Sequence, residues 1–501
     1  MEEKERRIQQ KRIRRRKNEL IMKCMIALLI LLIIILAVVL VREILVSRKN
    51  SPRKQVLVDQ TAGNDTAGAV SDGGDGTVPG NAEASGIQEG RTDRSSLLSQ
   101  ASLMAAQYDY DGAITLLKSD SGFSTDTELQ NAASNYEQSK NSCTAYPLDQ
   151  VTHVFFHTMI RDDSKAFDGD DKEGGYNQVM TTISEFNSII QQMYDRGYVM
   201  VSLHDMCQVN EDGTVSRKDI YLPAGKKPFV LSQDDVSYYH YMDGDGFARK
   251  LIIDENGDVK NTYLEDDGTV SVGDYDMVPL IDTFVKEHPD FSYHGHKGIL
   301  ALTGYEGVLG YRTDEVYRTR EAGRVTAFQQ KFFDENPDFD WQAEVDAATQ
   351  VANAMKANGW EFASHTWGHL SVTNMDVTSL QADNERWMAN VANIVGETDT
   401  IIFAHGNDIG DWHDYDAETN PVYAYYQSAG YHFFANVDAS TKSWVQIREE
   451  YFRQGRIDCD GLQMWRALSG KAKINVFEDM FDVETVFDAD RPTPVSASGK
   501  A

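Results

Sequence analysis

The chain has 501 residues, 41% of them hydrophobic, with 48 Lys+Arg against 78 Asp+Glu and a formal net charge of −30. That length and apolar content support the core of a full-sized domain with room for accessory segments, and the acidity excludes nucleic acid as a partner. Of the 4 cysteines, Cys143, Cys207 and Cys459 lie beyond the first apolar run and show no CxxC spacing, so neither a disulfide framework nor a thiolate zinc site is indicated.

Residues 1–21 form a basic tail. Cys24 to Val41, CMIALLILLIIILAVVLV, is an unbroken apolar run of about 18 residues, enough to cross a bilayer, so a transmembrane helix is expected over 22–46. A cleaved signal peptide is the rival reading, but the run is long for an h-region and no small-x-small site follows before Arg42-Glu43. The basic cluster ahead of the run predicts a single-pass protein of the cell membrane, with a cytoplasmic N-terminus and an extracellular catalytic domain. Residues 1–54 hold 15 Lys+Arg and 5 Asp+Glu, which leaves 33 against 73, about −40 net, on the remainder. Such a surface is well hydrated and says little about substrate.

Residues 47–93, which include AGNDTAGAVSDGGDGTVPG, carry too few large apolar side chains to offset chain entropy and read as a disordered linker. Over 94–146, apolar residues recur at helical spacing around a turn at Tyr108 to Tyr110, with a second amphipathic stretch near Glu128 to Tyr136. This helical hairpin resembles one tetratricopeptide unit without a period; it is either a spacer packing on the next domain or a docking module for a protein partner.

From 147 to 495 short apolar strands alternate with helical stretches: VTHVFFH, then TISEFNSIIQQMYDR, YVMVSL, PFVLSQDD, GILALTGY, a long helix near 340–358, WEFAS, TIIFAHGND and YHFFANV. Strands separated by helices predict an α/β fold with parallel strands, whose sites form at the C-terminal rim. The span 238–340 is enlarged, and its DGDG, DENGD and EDDGTV stretches predict hairpins with Asp/Gly turns; calcium binding is the alternative, but the twelve-residue loop with its terminal Glu is absent.

Candidate residues fall at that rim. Asp234 and Asp235 follow PFVL, and His365 and His369 follow WEFAS in HTWGH. With 12 histidines in the chain, random placement gives roughly 0.3 such i,i+4 pairs, so spacing alone is a weak signal. His153 and His157 share the spacing and serve as a control. In a strand they stand about 13 Å apart, too far for one metal, whereas in a turn or helix start such residues approach to about 6 Å. For the aspartates the bland alternative is a helix cap or turn pair.

LSQDDV followed by HTWGH resembles the first and second motifs of the polysaccharide deacetylase family, the NodB-homology or carbohydrate esterase family 4 enzymes. The likeness runs from about Val151 to about Val495. It implies a distorted (β/α) barrel holding a divalent metal, commonly zinc, on one aspartate and two histidines, here Asp235, His365 and His369, with Asp234 as catalytic base. The family usually shows Thr-Phe-Asp-Asp-Gly, and Ser232, Gln233 and Val236 replace three of those positions. No histidine follows His432 to supply the family's late acid. His405 in FAHGNDIGDW is the candidate acid with Asp408 as its brace, against an ordinary loop role for both. Asp408 and Arg456 are also read as substrate contacts, while Arg453 and Arg456 could instead brace the base or form surface salt bridges.

The expected activity is hydrolysis of N-acetyl groups on an amino-sugar polysaccharide such as peptidoglycan. A metal with three protein ligands and an open position activates water and relieves charge on the carbonyl oxygen, and a neighbouring carboxylate takes the proton. An acetyl-ester substrate fits the same chemistry. The alternative from another class is a glycan-binding or scaffold protein on a degenerate deacetylase fold.

Overall fold

The structure is a computed structural model that describes residues 94–497 apart from Asn374. Seven parallel strands close into a ring: β1 (Thr152–Phe156), β2 (Lys227–Asp234), β3 (Gly298–Leu302), β4 (Glu361–Ser364), β5 (Thr400–Ile402), β6 (Phe433–Val437) and β7 (Phe452–Asp458). Neighbours in the ring are neighbours in this order, and β7 returns to β1 with Arg456 opposite His153. Helices separate each strand from the next as far as β6, among them Ile183–Asp195, Met277–Glu287, Trp341–Ala357 and Val377–Trp387, whereas β6 and β7 are joined through a short antiparallel strand, Val445–Ile447, paired to β7. This is a closed (β/α) barrel, and it fits the barrel that the NodB-homology resemblance implies.

The chain's acidity has a local use here. Asp276, Asp340, Asp376 and Asp460 each stand at a helix N-cap and accept backbone N–H bonds of the first turn. Alternation along the strands then sorts the side chains. Val230, Ala301, Ala363, Ile402, Ala435 and Phe452 form one buried cluster, whereas Leu231, Leu300, Leu302 and Phe362 join the helix residues Ile189, Met193, Ile281 and Val351 in another. Each large apolar side chain so buried contributes roughly 1.5–3 kcal/mol. Part of the β1, β2 and β7 surface is polar instead. His153 Nε2 lies 2.9 Å from Ser232 Oγ, and Gln454 Nε2 donates to the Val151 carbonyl at 2.9 Å.

The expected architecture is corrected at several points. Among the described residues no helix is long and apolar enough to cross a membrane, and the expected tail, transmembrane helix and linker, 1–93, lie outside those residues. The segment ahead of the barrel is not a two-helix hairpin but three helices, α1 (Arg94–Ala106), α2 (Tyr110–Lys118) and α3 (Thr127–Ser142), because the 119–126 stretch breaks the pattern into a turn that Asp126 ends by capping α3. The span 238–340 is not wholly an insertion, since it contains the barrel strand β3. What is added there includes an antiparallel three-stranded sheet, 250–253, 259–264 and 270–273. Its turns place Gly257 and Gly268 at φ of 85° and 81°, a region that favours glycine. Asp254 accepts the Asn256 and Asp258 amides, and Asp267 accepts that of Thr269, so these carboxylates are engaged as turn formers.

Candidate functional site

The two sequence motifs meet across β3. The Asp235 amide donates to the Ala301 carbonyl at 3.2 Å and the His365 amide to the Leu302 carbonyl at 3.0 Å, so the end of one strand fixes both neighbours. Asp235, Thr366, His369 and His405 all have positive φ, at 60°, 61°, 52° and 59°. Four non-glycine residues in the left-handed region within one rim mark strain that the surrounding structure holds in place, the kind that collects at functional sites.

The turn carrying the histidines has its own supports. The Asp383 carboxylate accepts the Trp367 and Gly368 amides at 2.7 and 2.9 Å, and Thr366 Oγ1 accepts the Leu370 amide at 2.7 Å. Trp367 lies against Gly304, where an added Cβ would stand 2.1 Å from its ring, so a side chain there would displace the turn. The outcome is convergence. Asp235, His365 and His369 offer ligand atoms that all lie within 4.8 Å of one another, and the two imidazole centroids are 5.1 Å apart.

His365 is 1% exposed, and its Nδ1 lies 2.7 Å from the Ile402 carbonyl. A carbonyl only accepts, so the proton sits on Nδ1 and Nε2 turns a lone pair toward the carboxylates, 3.8 Å from Asp234 Oδ2. Burial, outweighing the nearby aspartates, pushes the His365 pKa below its ordinary value, which keeps the ring neutral and able to ligate. Two imidazole nitrogens and one carboxylate oxygen, with no thiolate, fit the donor set of a catalytic zinc or similar divalent cation.

Asp234 stands beside this group in a different state. Burial raises its pKa, but Arg456 overcomes that and holds the carboxyl down at about 2. The guanidinium makes two bonds, Nη1 to Oδ1 at 2.8 Å and Nη2 to Oδ2 at 2.9 Å, and is itself fully buried. Of the alternatives for Arg456, the structure therefore shows it bracing Asp234; it has no free face for substrate. Asp408 likewise accepts the Tyr415 hydroxyl at 2.6 Å and pairs with the buried Arg453, tying down the loop after β5 rather than facing a ligand. That loop puts His405 at the site, with its ring 4.3 Å from that of His369 and its Nε2 3.2 Å from the His369 carbonyl. The control pair behaves as a strand pair: His153 is buried within β1, His157 follows it, and neither joins the cluster.

Sequence reading missed Asp383 and Tyr239. Asp383 lies 14 residues beyond His369 on the next helix, with no local signature. Tyr239 gave a signal in hindsight: it follows Asp235 by four positions, and its hydroxyl donates to Asp235 Oδ1 at 3.1 Å. It missed Asp458 too, a carboxyl on β7 beside Asp460, which burial first and Asp460 second push well above the usual range.

Fold and site together define a (β/α) barrel with an Asp-His-His rim cluster beside a clamped carboxylate. No family model matches the chain, and no curated protein matches it. Among solved structures the chain is similar to the Streptococcus pyogenes deacetylase PplD in complex with acetate, at 10% identity, covering 68% of this chain and 100% of that one, with a TM-score of 0.33.

Proposed function

We propose that the chain is a metal-dependent hydrolase that removes N-acetyl groups from an amino-sugar polysaccharide, with peptidoglycan as the nearest target class. One observation carries this reading: the donor atoms of Asp235, His365 and His369 converge within 4.8 Å beside the ionised, arginine-clamped Asp234. These three residues would hold a divalent cation, zinc by the chemistry of the set. When bound there, such a cation supplies Lewis-acid chemistry, polarising a carbonyl and lowering the pKa of a water.

The remaining work falls to the chain's own groups. Asp234, kept ionised near pH 7, takes a proton from the attacking water as base. Its low basicity is a consequence of Arg456, so the clamp trades proton affinity for a fixed oxygen position. The proton that Asp234 takes from the water is the one the departing amine finally receives, passed on at the rim by His405. The motif likeness supports the choice of an acetylated amino sugar over other acyl compounds.

The test is metal content with product release. The full chain is expected to hold one zinc per molecule and to release acetate from N-acetylglucosamine oligomers, with both lost in Asp235→Asn and His369→Ala. A wild type free of metal, or acetate release unchanged in those variants, refutes the proposal; the metal-free case favours a glycan-binding scaffold.

A further inference from the structure

Asp235 presents two oxygens, and the structure treats them differently. Oδ2 stands 3.6 Å from His369 Nε2, whereas Oδ1 accepts the Tyr239 hydroxyl at 3.1 Å. The two oxygens are equivalent and the torsion that orients a carboxylate is broad, so nothing within Asp235 itself fixes the plane in which one oxygen faces the histidines and the other turns away. Tyr239 does, by holding one oxygen in a hydrogen bond while the other faces His369.

The phenol is in turn fixed from every side. Its oxygen lies 2.6 Å from Thr303 Oγ1, which lies 3.3 Å from Ser237 Oγ. A carboxylate only accepts, so the tyrosine proton points at Asp235 and the Thr303 hydroxyl must donate to the tyrosine oxygen. The direction of the chain is thereby set, from Thr303 through Tyr239 to Asp235. The ring is 2% exposed and stacks on Tyr305 at 4.7 Å and 7° and on Tyr241 at 5.7 Å and 15°. Tyr241 stacks on Tyr176 at 6.5 Å and 14°, which extends the ladder to four rings. Most of this ladder comes from the segments after β2 and β3, outside the two motifs.

We propose that Tyr239 is a positioning residue for the metal centre, selecting the orientation in which Asp235 offers a single oxygen to the cation and leaves the rest of the coordination sphere open. This role rests on the metal reading given above. Loss of the hydroxyl frees the carboxylate to turn and to present both oxygens, which closes a position that water or substrate needs.

Tyr239→Phe keeps the ring and the ladder and deletes one oxygen. In the full chain it is expected to weaken zinc affinity, measured by competition with a chelator, by about ten- to hundredfold. The visible bands of the cobalt-substituted protein should lose intensity as coordination number rises, and kcat should fall with KM for the oligomer unchanged. Thr303→Val, which removes the donor behind the phenol, is expected to move affinity and spectrum the same way by a smaller factor. Tyr239→Leu, which also removes the ring, should lower the melting temperature of the metal-free chain where Tyr239→Phe does not.

Zinc affinity and cobalt spectrum unchanged in Tyr239→Phe overturn the positioning role alone. So does a metal-free melting temperature that drops equally in the Phe and Leu variants, because the residue is then a packing element. A wild type that holds no cation overturns the metal centre and this role with it.

Discussion

Two histidine pairs share one spacing and meet different fates. His153 and His157 fall on an extended strand and its end, where the first becomes a buried partner of Ser232. His365 and His369 fall on a turn with positive φ at Thr366 and His369, where the rings come within 5.1 Å. The lesson is that i,i+4 carries no chemistry of its own. What brings the two rings together is a backbone that curls, and here Asp383 and the Leu302 carbonyl hold the curl.

The largest expected effect that would break this contrast is on activity. His365→Ala should lower acetate release on the order of 10³-fold and abolish zinc binding, while His153→Ala should leave the zinc stoichiometry intact. Equal loss of zinc from both would erase the distinction. Arg456→Met comes next, since it strands a buried carboxylate at Asp234; a destabilisation of about 3–5 kcal/mol is expected in urea unfolding, relieved in part by adding Asp234→Asn. His153→Ala itself should destabilise by about 1–3 kcal/mol, because the buried Ser232 hydroxyl loses a partner.

The smallest effect sharpens the comparison through pH. Burial first, and Arg456 second, push the His153 pKa well below its ordinary 6.5. The unfolded chain therefore binds a proton that the folded chain refuses. The stability linked to this ring is complete above pH 6.5 and is lost as pH falls from 6.5 toward the folded value. Urea midpoints of the wild type should drop between pH 7 and 5.5, and His153→Gln should drop less. Identical slopes would show that His153 titrates normally.

Most of the barrel was legible in the chain. Apolar runs flanked by helical periodicity mark β1 to β6 because each strand is mostly hydrophobic. The seventh, FRQGRID, carries two arginines, a glutamine and an aspartate in place of an apolar run, so hydrophobicity alone does not mark it, and the closed ring buries both arginines and the glutamine. The trio Asp235, His365 and His369 was visible as motif residues at strand ends, since a barrel gathers such ends at one rim. The partners of those residues were not. Asp383 and Tyr239 act through contacts that only the fold creates, and Arg456 and Asp408 could not be sorted between substrate and scaffold without seeing what already occupies them. Ahead of the barrel, the turn at Tyr108 to Tyr110 was legible as the break between the first two helices and the stretch near Glu128 to Tyr136 lies within the third, so what the word hairpin missed was only the count.

One joint in the ring has a mechanical meaning. β4 and β5 are registered through a single residue pair, Ser364 with Ile401, where most other neighbours share three or more. Just past that pair, the His365 side chain reaches across to the Ile402 carbonyl. The imidazole thus serves as a rivet in the thinnest weld of the barrel while its other nitrogen faces the ligand cluster. Any force that tightens its grip on that side also pulls the stave home, so a captured ion would act as a clasp on the hoop as well as a tool of the reaction.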